Sequence, residues 1–113
     1  MEVIQTSPKW HDVAEVNIDK GDSIQNSYEG ELDGKMGYLL LSKRKILFVR
    51  EEGFLRKSYD LSLDLPYDDI EEFSLKGRYE LKMTDVEGRE HGFRSFEVLA
   101  KRIEERLENL SSI

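Results

Sequence analysis

The chain of 113 residues contains no cysteine, only two histidines and only two prolines. Without cysteine it cannot form a disulfide, a thiolate zinc site or a cysteine nucleophile. The histidines, His11 and His91, lie far apart in the sequence, so no local histidine motif for a metal is present. We therefore expect the hydrophobic core to hold the fold without covalent or metal cross-links.

Long apolar runs are also missing. The first ten residues lack the basic region and apolar stretch of a signal peptide, and no run approaches the length of a membrane span. The length predicts a single domain. Charged residues make up 36% of the chain, well above the usual share of about a quarter. We expect a soluble, cytoplasmic protein with a charged surface.

The net charge of −7 conceals a basic middle segment. Residues 35–58 carry seven bases and two acids, whereas residues 1–34 carry two bases and eight acids, and residues 59–113 carry eight bases and fourteen acids. A local positive potential can attract an anion even when the total charge is negative. The candidate residues for binding an anion or a partner are Lys43, Arg44, Lys45, Arg50, Arg56 and Lys57. The alternative is that these bases protect strand ends and edges from aggregation.

Apolar residues alternate at strand spacing from Ile24 to Phe93, with turn signals such as Asp33-Gly34 between the runs. This pattern predicts about seven strands. The clearest alternation is the series Tyr59, Leu61, Leu63 and Leu65, which we place on one face of a strand. No helical pattern separates the strands, so the sequence favours a β-sandwich or a partly open barrel over a βαβ arrangement.

Helical spacing appears only near the C-terminus, from Phe96 to Leu110. Ser95 precedes this segment and is a suitable N-cap. We predict an amphipathic helix that closes the open end of the strands. The side chains expected to be buried are Leu99, Ile103 and Leu107.

Two sequence segments and this terminal helix resemble the pleckstrin-homology-like superfold, in particular its GRAM and bacterial PH branch. The segment Gly37–Phe48 is similar to the "G-x-L-x-L-T-x-x-R-L-x-F" strand pair of the family, with Ser42 at the usual Thr position, and Leu65–Ile70 is similar to its "I-P-x-x-D-I" segment. The resemblance implies a PH-like domain over residues 23–113. It leaves residues 1–22 as an N-terminal extension of uncertain structure.

The resemblance implies a non-catalytic module that binds phosphoinositides, proteins or protein tails. Phosphoinositide-binding members place several bases around the loop between their first two strands. The corresponding segment here, Leu32–Lys35, has one base beside one acid. A multiply charged phosphate needs several converging donors, so specific recognition of an inositol phosphate at this loop is not expected.

Catalytic and metal-binding patterns are weak. The adjacent pairs Asp68-Asp69 and Glu71-Glu72 resemble carboxylate pairs, but neighbouring residues point in different directions and are better explained as solvated. Glycine-rich phosphate loops are absent. The acidic total disfavours nucleic acid. We therefore expect neither enzymatic activity nor a cofactor.

The sequence-based hypothesis is a PH-like binding or scaffolding module whose partner is a protein, including self-association into a homo-oligomer. The first alternative is weak binding of an anionic lipid surface or phosphate ligand through Lys43, Arg44 and Lys45. The second alternative is a small hydrolase or metal protein whose site the sequence does not reveal. For the first hypothesis, we expect a strand edge or the groove beside the terminal helix to accept a peptide.

Overall fold

The computed structural model describes residues 7–111, which form seven strands and two α-helices. A 3-10 turn, Tyr67–Asp69, joins the fourth and fifth strands. In chain order the elements are α1 (Lys9–Glu15), β1 (Ile24–Leu32), β2 (Lys35–Ser42), β3 (Lys45–Glu52), β4 (Ser58–Pro66), β5 (Ile70–Leu75), β6 (Glu80–Asp85), β7 (Glu90–Ser95) and α2 (Ala100–Ser111).

The seven strands form one antiparallel sheet in the order β4-β3-β2-β1-β7-β6-β5. Strand β1 is the junction, because it pairs with β2 along its length and with β7 through Gly30–Leu32. The ends of the order, β4 and β5, do not pair with each other, so the sheet is not closed into a barrel. The prediction of a mainly β fold with seven strands and a C-terminal helix is confirmed.

The main hydrophobic core lies between the two halves of this sheet and α2. Phe48 of β3 meets Phe93 of β7 with ring centroids 6.3 Å apart, which joins the halves. Ile103 and Leu107 of α2 are completely buried in the same core. The Nε of Arg106 also donates to Oδ1 of Asn26 at 2.7 Å, fastening the helix to β1. The predicted closing helix is therefore present.

The start of that helix differs from the prediction. Helix α2 begins at Ala100, and Leu99, expected to be buried, is 39% exposed. Ser95 Oγ does accept the Val98 N–H at 3.0 Å, but Ser95 is the last residue of β7 and is separated from the helix by residues 96–99. The reason is that the preceding backbone binds the β5–β6 turn, since the Ala100 N–H donates to the Arg78 carbonyl.

The alternating series in β4 is divided between two cores. Phe48 pairs with Leu63 but Val49 pairs with Leu61, so a bulge at Ser62 interrupts the register. Leu63 and Leu65 consequently belong to the main core, whereas Tyr59 and Leu61 pack against a second one on the other face of the sheet. A bulge adds one residue to the strand, so the alternating side chains beyond it point to the opposite face of the sheet. The prediction of a single face was therefore wrong.

The second core lies between the sheet and α1. Helix α1 belongs to the segment 1–22, which we predicted to be an extension. Ala14 of α1 is completely buried with Leu40 and Val49. Trp10 stacks on Tyr38, with ring centroids 4.2 Å apart and planes 10° from parallel. Helix α1 thus packs on the outer face of the sheet, mainly on β3 and β4.

Neither helix in residues 7–111 is long and apolar enough to cross a membrane.

Candidate functional site

The six predicted basic residues are divided between the two ends of β3. Lys43 and Arg44 form the turn before β3, and Lys45 begins the strand. Lys45 Nζ lies 3.1 Å from Oδ2 of Asp64, and its side chain is only 14% exposed. This ion pair occupies Lys45, so at this end Lys43 and Arg44 are the bases that form no ion pair within residues 7–111.

Arg50, Arg56 and Lys57 lie at the other end, about 20 Å away by the rise of an eight-residue strand. Arg50 is 3.0 Å from Glu52, and Lys57 Nζ is 3.1 Å from Glu51. The hydrogen bond and charge of Glu51 raise the pKa of Lys57. The six bases therefore do not converge on one anion, which requires donors close together.

A cavity of about 350 Å³ borders Lys43 and Arg44. Its wall also contains Tyr67 and three acids, Asp19, Asp22 and Asp68. The Asp22 carboxylate accepts the Ser42 hydroxyl at 2.7 Å and the Lys43 N–H at 2.9 Å. The positive potential expected for this turn is thus reduced by three carboxylates whose residues are distant from it in the sequence.

His91 has two acidic neighbours that sequence reasoning missed. Its Nε2 lies 3.2 Å from Oδ2 of Asp85, and its Nδ1 is 4.0 Å from Oδ2 of Asp33. Oδ1 of Asp85 accepts the N–H groups of Glu87 and Arg89, both at 2.9 Å. The segment Asp85–Gly88 has the Asp-x-x-Gly pattern of a turn, and this pattern could have indicated that Asp85 accepts backbone N–H groups. This arrangement anchors the β6–β7 hairpin.

The adjacent acids Asp68-Asp69 and Glu71-Glu72, which we interpreted as solvated, form no metal centre in the part of the chain that the structure describes. Among residues 7–111, no group of three or more histidines and acids is arranged to hold a metal ion. Asp68 and Asp69 lie exposed in the 3-10 turn, and Glu71 and Glu72 are exposed on β5.

Four exposed apolar side chains occur where the β5–β6 turn meets the start of α2. The Ser95 N–H donates to the Tyr79 carbonyl at 2.8 Å, and the Ala100 N–H donates to the Arg78 carbonyl at 2.9 Å. These bonds place the backbone of Arg78 and Tyr79 beside the two ends of the segment 95–100, which contains Phe96 and Leu99, while Leu75 leads into the turn. The four residues, here called the β5–α2 patch, are 38 to 41% exposed: Leu75, Tyr79, Phe96 and Leu99.

Bases are interspersed with the β5–α2 patch. The turn contributes Lys76 and Arg78, and the first turn of α2 contributes Lys101 and Arg102. All four are exposed, and none forms an ion pair with another residue in the range 7–111. The patch therefore presents apolar surface together with four bases that form no ion pair in the described range, a combination that no local sequence pattern predicts.

The patch also adjoins an unpaired strand edge. Among the strands within residues 7–111, β5 pairs only with β6, and after a bulge near Ile70 its register is regular from Glu72 to Leu75. The other edge strand, β4, has its bulge in the middle and ends at Pro66. Bulges and proline both hinder the addition of a further strand. The Glu72–Leu75 edge of β5 is consequently better suited than β4 to pair with an added strand.

Comparison with known proteins defines the fold alone. No protein-family model matches the chain, and no curated protein matches it. Among solved structures, the chain is similar to the C-terminal domain of an unknown protein from Leishmania infantum, with a TM-score of 0.59 and 12% sequence identity. The match covers 80% of this chain and 85% of that one.

Proposed function

We propose that the chain is a non-catalytic, PH-like binding module whose partner is a protein. The partner adds an extended segment to the free edge of β5 and places apolar side chains on the β5–α2 patch. The observation that carries this proposal is the junction of a regular strand edge, Glu72–Leu75, with four exposed apolar residues. Backbone pairing supplies affinity in such a complex, and the adjoining side chains supply specificity.

The assignment to the PH-like superfold, and to its GRAM branch, is part of this proposal. It is supported by the antiparallel seven-stranded sheet and the C-terminal helix. A cytoplasmic location is proposed with it, on the strength of a composition that has no cysteine and 36% charged residues.

The charges around the patch favour a partner segment that carries acids. Lys76, Arg78, Lys101 and Arg102 form no ion pair in the described part of the chain, and complementary charge guides association and selects partners. The exposed acids Glu71 and Glu72 on β5 restrict where those partner acids can lie. We expect them near the turn and α2, beyond the end of the added strand.

Site-specific photo-crosslinking in native extract tests the proposal. A photoreactive residue replacing Tyr79 should give discrete protein adducts, and Leu99→Glu in the same chain should reduce them strongly. The matched control is Val16→Glu, because Val16 is 80% exposed and directly follows α1, outside the patch. Adducts that are absent, or that survive Leu99→Glu and not Val16→Glu, would contradict the proposed surface.

The alternative is weak binding of an anionic lipid or phosphate ligand by the Lys43–Lys45 turn. It is supported by the cavity beside Lys43 and Arg44, whose side chains form no ion pair within residues 7–111. Titration with inorganic phosphate, followed by NMR shifts of the turn, tests this alternative. Replacing both bases by serine should abolish any shift, whereas Lys35→Ser should leave it unchanged.

A further inference from the structure

The tip of the β3–β4 hairpin, Gly53–Lys57, exposes two adjacent large apolar side chains almost completely. Phe54 is 93% exposed and Leu55 is 92% exposed, more than any other large apolar residue in the described range. A single exposed apolar residue is ordinary in a folded protein. Here two adjacent apolar residues are exposed in one turn, although only 38% of the chain is apolar. Such a pair indicates an interaction surface.

The turn holds this pair in position. Gly53 has φ of +100°, and a Cβ there would collide with the Arg56 carbonyl, so the turn requires glycine. The pairs Glu51 with Tyr59 and Glu52 with Ser58 close the ladder directly below it. Phe54 and Leu55 are therefore presented by a structured hairpin.

Most charged residues around the tip are paired with one another. Glu51 is paired with Lys57 at 3.1 Å, and Arg50 lies 3.0 Å from Glu52 and 3.8 Å from Asp60. Arg56, next to Leu55, is exposed and forms no ion pair within residues 7–111. The projecting surface thus combines an aromatic ring, an aliphatic side chain and a free guanidinium.

The small size of this surface favours a lipid bilayer over a folded protein as its binding partner. A standard protein interface buries about 800 Å² on each partner, whereas one aromatic side chain buries about 150 to 250 Å². Two side chains on a convex tip fall well short of that area. A lipid bilayer needs no matching groove, since aromatic rings settle at its interface and bases are attracted to anionic headgroups.

We propose that the β3–β4 tip contacts anionic lipid bilayers, with Phe54 and Leu55 entering the interface and Arg56 facing the headgroups. This surface shares no residue with the β5–α2 patch, which lies at the β5–β6 turn and the start of α2. It also differs from the Lys43–Lys45 turn, which lies at the other end of β3. The inference does not depend on the proposed protein partner.

Vesicle sedimentation of the full chain tests the contact. Mixed phosphatidylcholine and phosphatidylserine vesicles should bind the chain at low salt, and Phe54→Ser with Leu55→Ser should weaken partitioning about tenfold or more. Arg56→Ser should weaken binding only when phosphatidylserine is present. The matched control is Val16→Ser with Val86→Ser, because both valines are exposed elsewhere, and it should bind like the unmodified chain.

A fluorescence measurement reports insertion directly. In a Trp10→Phe background, a tryptophan replacing Phe54 should shift its emission to the blue on vesicle addition and be quenched by brominated lipids. An unchanged spectrum in the presence of bound vesicles would overturn insertion. Loss of binding in a Lys43→Ser, Arg44→Ser variant but not in the tip variant would overturn the assignment to this hairpin.

The remaining outcomes identify other occupants. The tip variant should melt at the same temperature as the unmodified chain, because its side chains are exposed. A clear fall would show that the chain itself covers them, and the proposal would fail. A concentration-dependent dimer in light scattering that the tip variant abolishes would replace the bilayer by a second copy. No vesicle binding at low salt would also overturn the proposal.

Discussion

The imidazole of His91 and the carboxylate of Asp85 form a hydrogen-bonded pair that closes the β6–β7 hairpin, with Nε2 and Oδ2 3.2 Å apart. Burial alone would raise the pKa of Asp85, but the Arg89 N–H, the His91 ring and the Glu87 N–H outweigh it, so the pKa is lowered. A carboxylate with a lowered pKa stabilises the folded state only while it is ionised.

This pair predicts an acid-dependent loss of stability. Because the folded pKa of Asp85 is lowered, its contribution is present above the unfolded pKa of about 4 and disappears as pH falls through the folded value. Asp85→Asn should therefore lower the melting temperature at neutral pH, and the difference from the unmodified chain should narrow below about pH 4. Thermal melts across an acid pH series provide the measurement.

Glu87→Gln is the control for Asp85→Asn. Glu87 lies in the same hairpin, but its ion pair with Arg89 is largely exposed. Its replacement should change the melting temperature little at any pH. Equal effects of the two substitutions would show that the Asp85 contacts do not stabilise the hairpin.

A second prediction concerns the position of α2. Ile103 is completely buried, whereas Leu99 is 39% exposed. Ile103→Ala should therefore reduce the free energy of unfolding by about 2 to 5 kcal/mol, and Leu99→Ala by less than about 1 kcal/mol. Urea melts compare the two variants. A cost below about 0.5 kcal/mol for Ile103→Ala would mean that α2 is peripheral to the core.

A third prediction concerns the close approach of β1 and β7. A Cβ on Gly30 would overlap the Arg94 carbonyl and the ring of Phe93. Gly30→Ala should therefore reduce stability by about 1 to 3 kcal/mol or more, because backbone must move apart. Gly77→Ala is the control, since its Cβ would come no closer than 3.9 Å to a neighbour. Denaturant melts that ranked the two variants equally would refute this packing.

A fourth prediction is alkaline destabilisation through buried tyrosines. Burial is the main cause that raises the pKa of Tyr67, and burial together with Glu51 raises the pKa of Tyr38 to about 12. Tyrosine ionises near pH 10 in an unfolded chain. These residues therefore contribute stability that is complete below about pH 10 and is lost as pH rises towards their folded pKa values.

The Tyr67 hydroxyl makes the effect measurable, because it donates to the Ser42 carbonyl at 2.7 Å. Tyr67→Phe should cost about 1 kcal/mol at neutral pH and should make stability less sensitive to alkali. Tyr79→Phe, at a side chain that is 40% exposed, should leave the alkaline profile unchanged. Urea melts from neutral to strongly alkaline pH would contradict the prediction if the Tyr67→Phe profile matched that of the unmodified chain.

Sequence alternation was sufficient for the strands because side chains in a strand point to opposite faces with a period of two. It failed in β4, where the Ser62 bulge moves Tyr59 and Leu61 to the second core. Periodicity does not report a bulge, since the inserted residue follows the same polar pattern. Helical spacing likewise included Leu99 in α2, although backbone bonds to the β5–β6 turn delay the helix until Ala100.

Charge counting located a basic segment but could not show how its side chains are arranged or paired. Lys45, Arg50 and Lys57 each have an acidic partner, brought by the β3–β4 hairpin or by β3 itself. The β5–α2 patch joins Leu75 and Tyr79 with Phe96 and Leu99, residues that no local pattern connects. Such a patch depends on which turn packs against which helix, and no local sequence pattern encodes that contact.

The sequence by itself determined the local properties of this protein: an antiparallel β fold, a terminal helix, and a chain without cysteine chemistry. These follow from residue spacing and composition, which act within a few neighbouring residues. The tertiary structure decided which of those residues meet. It separated the predicted bases along β3, paired His91 with Asp85 and assembled the β5–α2 patch, because long-range contacts depend on register and crossing geometry rather than on local pattern.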